Sequence, residues 1–324
     1  MLDSLTSLTK VERQLVQHIK AETKKRNVDN ISRTEAYLEF YQAFQEIDWS
    51  FLAHMVSRNA GYNICDLEGR WFPHLLDAKT RRTLFLTYEK ANWLIFQDAY
   101  PQLLLYRYSI EKEKPLFHLL KYFHVSLFME KEWNRFWINK GRKRLLYSLI
   151  INEQNVVQHP VIHHPFYQRN VFRSARFCFQ DWFHFSSVLL PTCNGMLFGA
   201  SVSGFKYVNK RIELGKKIAK ILFDHSVFPL VYEFAIKTVH TGSRYDYERY
   251  FMRRKSRDTP LLRMSFPIVR HHIHHFEDWS LKIRIRRKWF DEPSLKEPII
   301  LKDWFEKKQK QLHKIIQVKQ ILLE

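Results

Sequence analysis

The chain has 324 residues, 45% of them apolar and 15% aromatic, and 53 Lys and Arg against 33 Asp and Glu give a formal charge of +20. That much apolar material excludes a disordered chain, and eight glycines with eleven prolines exclude collagen-like, linker-like and turn-dense all-β compositions, so an all-α, multi-helix fold is expected. Three widely spaced cysteines, Cys65, Cys178 and Cys193, cannot build a disulfide scaffold or a four-cysteine zinc site and point to a reducing compartment.

The N-terminal stretch carries Asp3 and no apolar run behind a basic start, so a cytoplasmic location is expected. Thr9 and Glu12 form a capping box ahead of a first helix to about Lys25, and Ser32 with Glu35 reads as a second box opening an aromatic helix. Asp48 starts a third helix to about Asn59, stopped at Ala60-Gly61, with 65–69 as polar loop. Helical periodicity resumes from Asp77 to Glu113 with Pro101 as a restart or kink, then from Pro115 to about Asn139 and from Arg142 to Gln158. Arg173–Leu190, Met196–Val208, Arg211–His225 and Pro229–Val239 read as further helices, the first two flanking a polar turn, and a helix-like run continues to about Arg257. Residues 281–289 alternate apolar and basic, which is strand periodicity or a basic helix. An amphipathic helix over 302–323 closes the chain. No composition break marks a boundary, so 1–324 is expected as one domain. Its first part, 1–100, has 13 basic and 13 acidic residues, and 101–324 carries the whole charge excess.

Walker A, Gly-x-Gly-x-x-Gly, His-Glu-x-x-His and Cys-x-x-Cys motifs are absent, and no motif assigns a cofactor. Two polar segments stand in apolar surroundings. One holds His54, Arg58, Asn59, Asn63 and Asp66, the other His240, Ser243, Arg244, Asp246 and Glu248. Together they could line a pocket in which Arg58 or Arg244 holds an anionic substrate beside Asn59, Asn63 and Ser243. His54, Asp66, His240, Asp246 or Glu248 would then act as acid or base. The plainer alternative makes Ser243 and Asp246 helix caps and pairs Arg244 with Glu248. On a helix, His271, His274 and His275 would share a face that could hold a metal, and Cys193 would be a nucleophile candidate if a helix began just after it. Arg253, Arg254, Lys255, Arg284, Arg286, Arg287 and Lys288 have the composition of phosphate contacts, with Trp279 and Trp289 beside the second run.

Three stretches, Asn30 to Tyr41, Trp49 to Asn63 and His240 to Glu248, resemble the YppC-like family of unknown function found in Bacillus and related spore formers. The resemblance implies a cytoplasmic bacterial protein and brings no activity or catalytic residue with it. The expected function is binding of an anionic partner, nucleic acid or an anionic membrane surface, with the enzyme as the alternative. Self-association through the 302–323 helix is a third possibility.

Overall fold

The computed structural model describes residues 8–172, 187–201, 204–252, 256–273, 276–295 and 300–321, without the side chains of 172, 313, 315 and 317–321. The first helix, α1 (Lys10–Arg26), starts at the expected capping box: the Glu12 N–H donates to Thr9 Oγ1, and the Glu12 carboxylate accepts from the Thr9 N–H. The second, α2 (Asn30–Ala43), begins earlier than expected. Asp29 is its cap, accepting from the Ser32 N–H at 2.7 Å, so Ser32 lies within the first turn. The third, α3 (Asp48–Asp66), runs straight through Gly61 and absorbs the expected loop. Gly61 is there for close approach: a Cβ would land on Asn30 Oδ1 and 2.7 Å from His240 Nε2.

Next, α4 (Ala78–Glu111) is one 34-residue helix with Pro101 buried inside it. The expected 115–139 helix is two pieces. Phe117–Phe123 is a 3₁₀ stretch ended by His124 at φ 61°, and α5 (Leu127–Asn139) restarts under the Ser126 cap. Then α6 is Arg142–Val156.

The largest departure from expectation is at 187–201, where the apolar run forms an antiparallel hairpin of β1 (Ser187–Pro191) and β2 (Leu197–Ser201) instead of helix. Gly199, at φ 140°, lets β2 pass against the Val188 carbonyl where a Cβ would clash. The rest of the expected helix 173–190 lies outside the described residues. Cys193 therefore sits in a hairpin turn and no helix begins after it.

Further along, α7 (Val208–Leu222) and α8 (Phe228–Lys237) match the expected helices, whereas the run after 243 is a single turn, Tyr245–Glu248. Residues 282–286 are neither strand nor helix but an irregular link between the 3₁₀ turns Trp279–Leu281 and Arg287–Phe290, and with the second turn they make a surface strap, 282–290. Last, α9 is Lys302–Ile321, with Phe305, Leu312 and Ile316 buried. No helix among the described residues is long and apolar enough to cross a membrane.

The principal core draws on every one of these elements, from Val16 in α1 to Phe305 in α9, and is dense in aromatic pairs such as Phe117 on Trp133 and Tyr106 on Trp133. A polar chain threads it. Trp133 Nε1 donates to Gln102 Oε1 at 2.9 Å, Gln102 and Asn152 donate to Asp98 Oδ1, and Ser126 and Trp279 donate to Asn152 Oδ1 at 2.9 and 3.0 Å. Burial pushes Asp98 up to about 7 and Glu153 likewise to about 7, outweighing the hydrogen bonds each accepts.

Candidate functional site at the meeting of α2, α3 and the 238–248 segment

The two polar segments singled out from the sequence meet. Arg244 donates through Nε and Nη2 to the carboxylate of Asp66, 178 residues away, at 2.7 and 2.6 Å, and reaches Asn63 Oδ1 at 3.1 Å and the Tyr247 hydroxyl at 2.7 Å. Burial works against the Arg244 charge, but Asp66 and Tyr247 overcome it and hold the guanidinium ionised well above the usual arginine range. The alternative pairing of Arg244 with Glu248 is replaced by this fork, which the helical continuation of α3 through Gly61 places opposite the 244 turn. Glu248 is itself buried.

One turn back along α3, Arg58 is 1% exposed; it donates to the Thr238 carbonyl at 2.8 Å and lies 4.8 Å over the Phe234 ring. His54 Nδ1 donates to the Thr34 carbonyl at 2.9 Å while Nε2 has no partner among the described residues. Burial first, and then the Arg58 charge, hold His54 neutral, well below the usual histidine range. Asn59 faces the hairpin: its Oδ1 accepts from the Leu189 N–H at 2.8 Å and its Nδ2 donates to the Leu189 carbonyl, so a side chain on α3 supplies β1 with the pairing of a neighbouring strand.

His240 Nε2 donates to Asn30 Oδ1 at 2.8 Å, and Asn30 Nδ2 donates to the Ser57 carbonyl at 2.8 Å. The other ring nitrogen lies 3.5 Å from Asp246 Oδ2, a contact too long for a hydrogen bond. Burial lowers His240 to about 4; the facing Asp246 opposes the shift and Arg58 adds to it. Burial would raise Asp246, yet His240 and the Thr241 N–H and hydroxyl outweigh it and hold the carboxyl below its ordinary value. Ser243 is no cap for a long helix: its hydroxyl donates to the Thr259 carbonyl at 2.9 Å and closes the 240–259 loop.

The other candidates separate from this junction. Arg284, Arg286, Arg287 and Lys288 are exposed on the strap, while Ile283 and Ile285 are half-buried and Trp289 is buried with Nε1 on Asn209 Oδ1 at 2.8 Å. The apolar–basic alternation seen in the sequence holds in burial from Lys282 to Arg286 only, since Leu281 is exposed, and among the described residues no strand pairs there. Trp279 and Trp289 are bolts into the core, where the sequence had set them beside phosphate contacts. His271 belongs to a segment without regular structure, so the shared helical face expected for the histidines does not form. Its ring tilts 5.4 Å from Trp93, and burial, helped by Lys90, lowers it to about 4. Among the described residues no group of three His, Cys, Asp or Glu could hold a metal. Arg253, Arg254, Lys255, His274 and His275 lie outside the described residues.

Residues 25–309 match the family model described as a protein of unknown function, DUF2515. The chain is also 45% identical over 311 residues to the uncharacterized protein YppC of Bacillus subtilis (strain 168), covering 96% of this chain and 97% of that one. The chain belongs to this DUF2515 family. No solved structure matches it.

Several partners in this DUF2515 chain's junction escaped the sequence reading: Asn30, Tyr62, Thr238, Thr259 and the Asp29–Arg263 pair at 2.7 Å. Of these only Asn30 carries a local signal, as a polar residue just ahead of an apolar helix.

Proposed function

We propose that this DUF2515 chain binds a polyanion, nucleic acid or an anionic membrane surface, through the strap at 282–290. The observation that supports this reading is the state of four cations. Arg284, Arg286, Arg287 and Lys288 are all exposed, and none is joined to a carboxylate among the described residues. Two other exposed cations, Arg142 and Lys237, are by contrast joined to Asp48 and Glu233. Buried Trp279 and Trp289 fasten the strap at its two ends, which lowers the ordering entropy lost when phosphates dock on the cations between and beside them. The net charge of +20 adds long-range attraction.

The experiment is binding of the full chain to labelled duplex DNA, RNA and anionic vesicles in parallel over a salt series. Tight binding to one of them near 0.15 M salt supports the reading and selects between nucleic acid and lipid. Loss of all three well below that salt contradicts it. The enzyme alternative draws on the meeting of the 54–66 and 240–248 segments. The two described cavities are lined by other residues, and the groups that would act on a substrate hold one another.

A further inference from the structure

Three helices begin at one open cavity of about 450 Å³. Asp48 is the first residue of α3, Arg142 the first of α6, and Phe228 and Pro229 the first two of α8, and all four line it. Whereas α1, α2, α4 and α5 each start under a side-chain cap, none of these three does. Their first-turn N–H groups therefore seek acceptors outside the helix, and each helix start carries about half a positive charge. Asp48, the one carboxylate among the lining residues, is taken up by Arg142, whose Nε and Nη2 donate to it and whose Nη2 also reaches the Gln45 carbonyl at 2.8 Å. With that pair cancelled, the three helix starts leave a net of about +1.5 around the cavity.

A separate observation points the same way. Tyr41, 3% exposed, lines the cavity, and its hydroxyl has no hydrogen-bond partner among the described residues although it keeps accessible surface. Burial, and then the Asp48 charge, push it up to about 12, so it stays a protonated donor. Arg142 Nη1 likewise has no partner among the described residues. The free groups are thus an O–H, a guanidinium N–H pair and backbone N–H groups, which call for an acceptor with several oxygens, and the net positive charge calls for an anion. Phe223, Phe228 and Pro229 add apolar wall, and since about 150 Å³ already admits a benzene ring there is room for a ring beside the anionic head. We propose that this cavity binds a small organic phosphate, a phosphate monoester on an apolar, ring-sized body. Arg142 Nη1, the Tyr41 hydroxyl and the first-turn N–H groups hold the phosphate oxygens, as helix starts do for other phosphates. The cavity shares no residue with the strap, and the proposal does not rest on the polyanion reading.

The test is thermal unfolding of the full chain titrated with phenyl phosphate, and with phenol and inorganic phosphate as its two halves. Phenyl phosphate at about ten times its dissociation constant should raise Tm by about 2 °C, phenol at the same concentration should not, and inorganic phosphate should bind at least about tenfold more weakly. Tyr41→Phe keeps the ring and its packing and should weaken phenyl phosphate binding about tenfold. Pro229→Glu places a carboxylate at an exposed position in the first turn of α8, where an acid favours the helix, and should abolish the shift. A chain with Arg284, Arg286, Arg287 and Lys288 all replaced by Glu should keep the shift, because those cations lie outside the cavity. The proposal is overturned by no shift with phenyl phosphate, by an equal shift with phenol, by inorganic phosphate binding as tightly, by an undiminished shift in both cavity variants, or by loss of the shift in the strap variant.

Discussion

Replacing Gly61 by alanine sets two physical effects against each other. Gly61 lies in the third quarter of α3, and on helix propensity alone the change should stabilise by about 1 kcal/mol. Against this, the new Cβ meets Asn30 Oδ1 and lies 2.7 Å from His240 Nε2, the two atoms of a buried 2.8 Å hydrogen bond. Neither neighbour is free to swing away, since Asn30 is held by the Ser57 carbonyl and His240 lies edge-on to Tyr62. Forcing them apart costs about 1–3 kcal/mol of overpacking, and leaves a buried donor and acceptor unpaired at about 1–3 kcal/mol more. The expected balance is a loss of about 3 kcal/mol, read as a lower urea midpoint at unchanged slope. An unchanged or higher midpoint would mean that the α3–His240 contact is not tight, and the account of the junction would fail.

Four further outcomes follow from the same geometry. His240 is held neutral at about 4 in the folded chain against 6.5 unfolded, so its contribution is complete above pH 6.5 and is lost as pH falls toward 4, by about 3 kcal/mol. Asp98 and Glu153, raised to about 7, work in the opposite direction over the same range, so the informative quantity is the wild type minus His240→Gln difference in urea stability at pH 7.5, 6 and 5; a difference that does not change with pH refutes it. Asp98→Asn keeps an oxygen for Gln102 and Asn152 and removes a carboxylate that burial penalises; it should stabilise at pH 8 by up to about 4 kcal/mol and by progressively less toward pH 4, and a loss of stability at pH 8 contradicts this. Asp66→Ala strands the Arg244 guanidinium and should cost about 3–5 kcal/mol, most of it recovered when Arg244→Met is added; additive losses would mean the pair is not coupled. Trp289→Phe removes the bond to Asn209 and should open the strap to trypsin at Arg284–Lys288 while circular dichroism stays the same; unchanged cleavage argues that Trp289 is not what fastens it.

The parts of the fold readable in the sequence were those written locally. The Thr9 capping box, the periodicity of α6 to α8 and the amphipathic stripe of α9 are short-range signals, and the structure places helices there. What was missed depended on contacts distant in the chain. Gly61 read as a helix stop because nothing local shows that Asn30 and His240 press against it. The run 187–201 read as helix because its apolar residues carry no period, and its strand pairing is completed by Asn59 from α3. The 54–66 and 240–248 segments were recognised as unusual from buried-type polar residues in apolar context, but that Arg244 reaches across to Asp66 rather than to Glu248 could not be read from spacing. The strap kept part of its alternation without becoming a strand: Ile283 and Ile285 pack on the principal core, but among the described residues no strand pairs with it.

The most direct test of the polyanion account compares the wild type with a chain carrying Arg284→Glu, Arg286→Glu, Arg287→Glu and Lys288→Glu, measured as duplex DNA and anionic-vesicle affinity against salt. Four phosphates neutralised on a duplex give a log–log slope of about −3.6. The account predicts a wild-type slope of that size or steeper, or tight vesicle binding with the same salt sensitivity, and loss of either in the variant with its thermal unfolding unchanged. Equal affinity and equal slope in the two chains would contradict it.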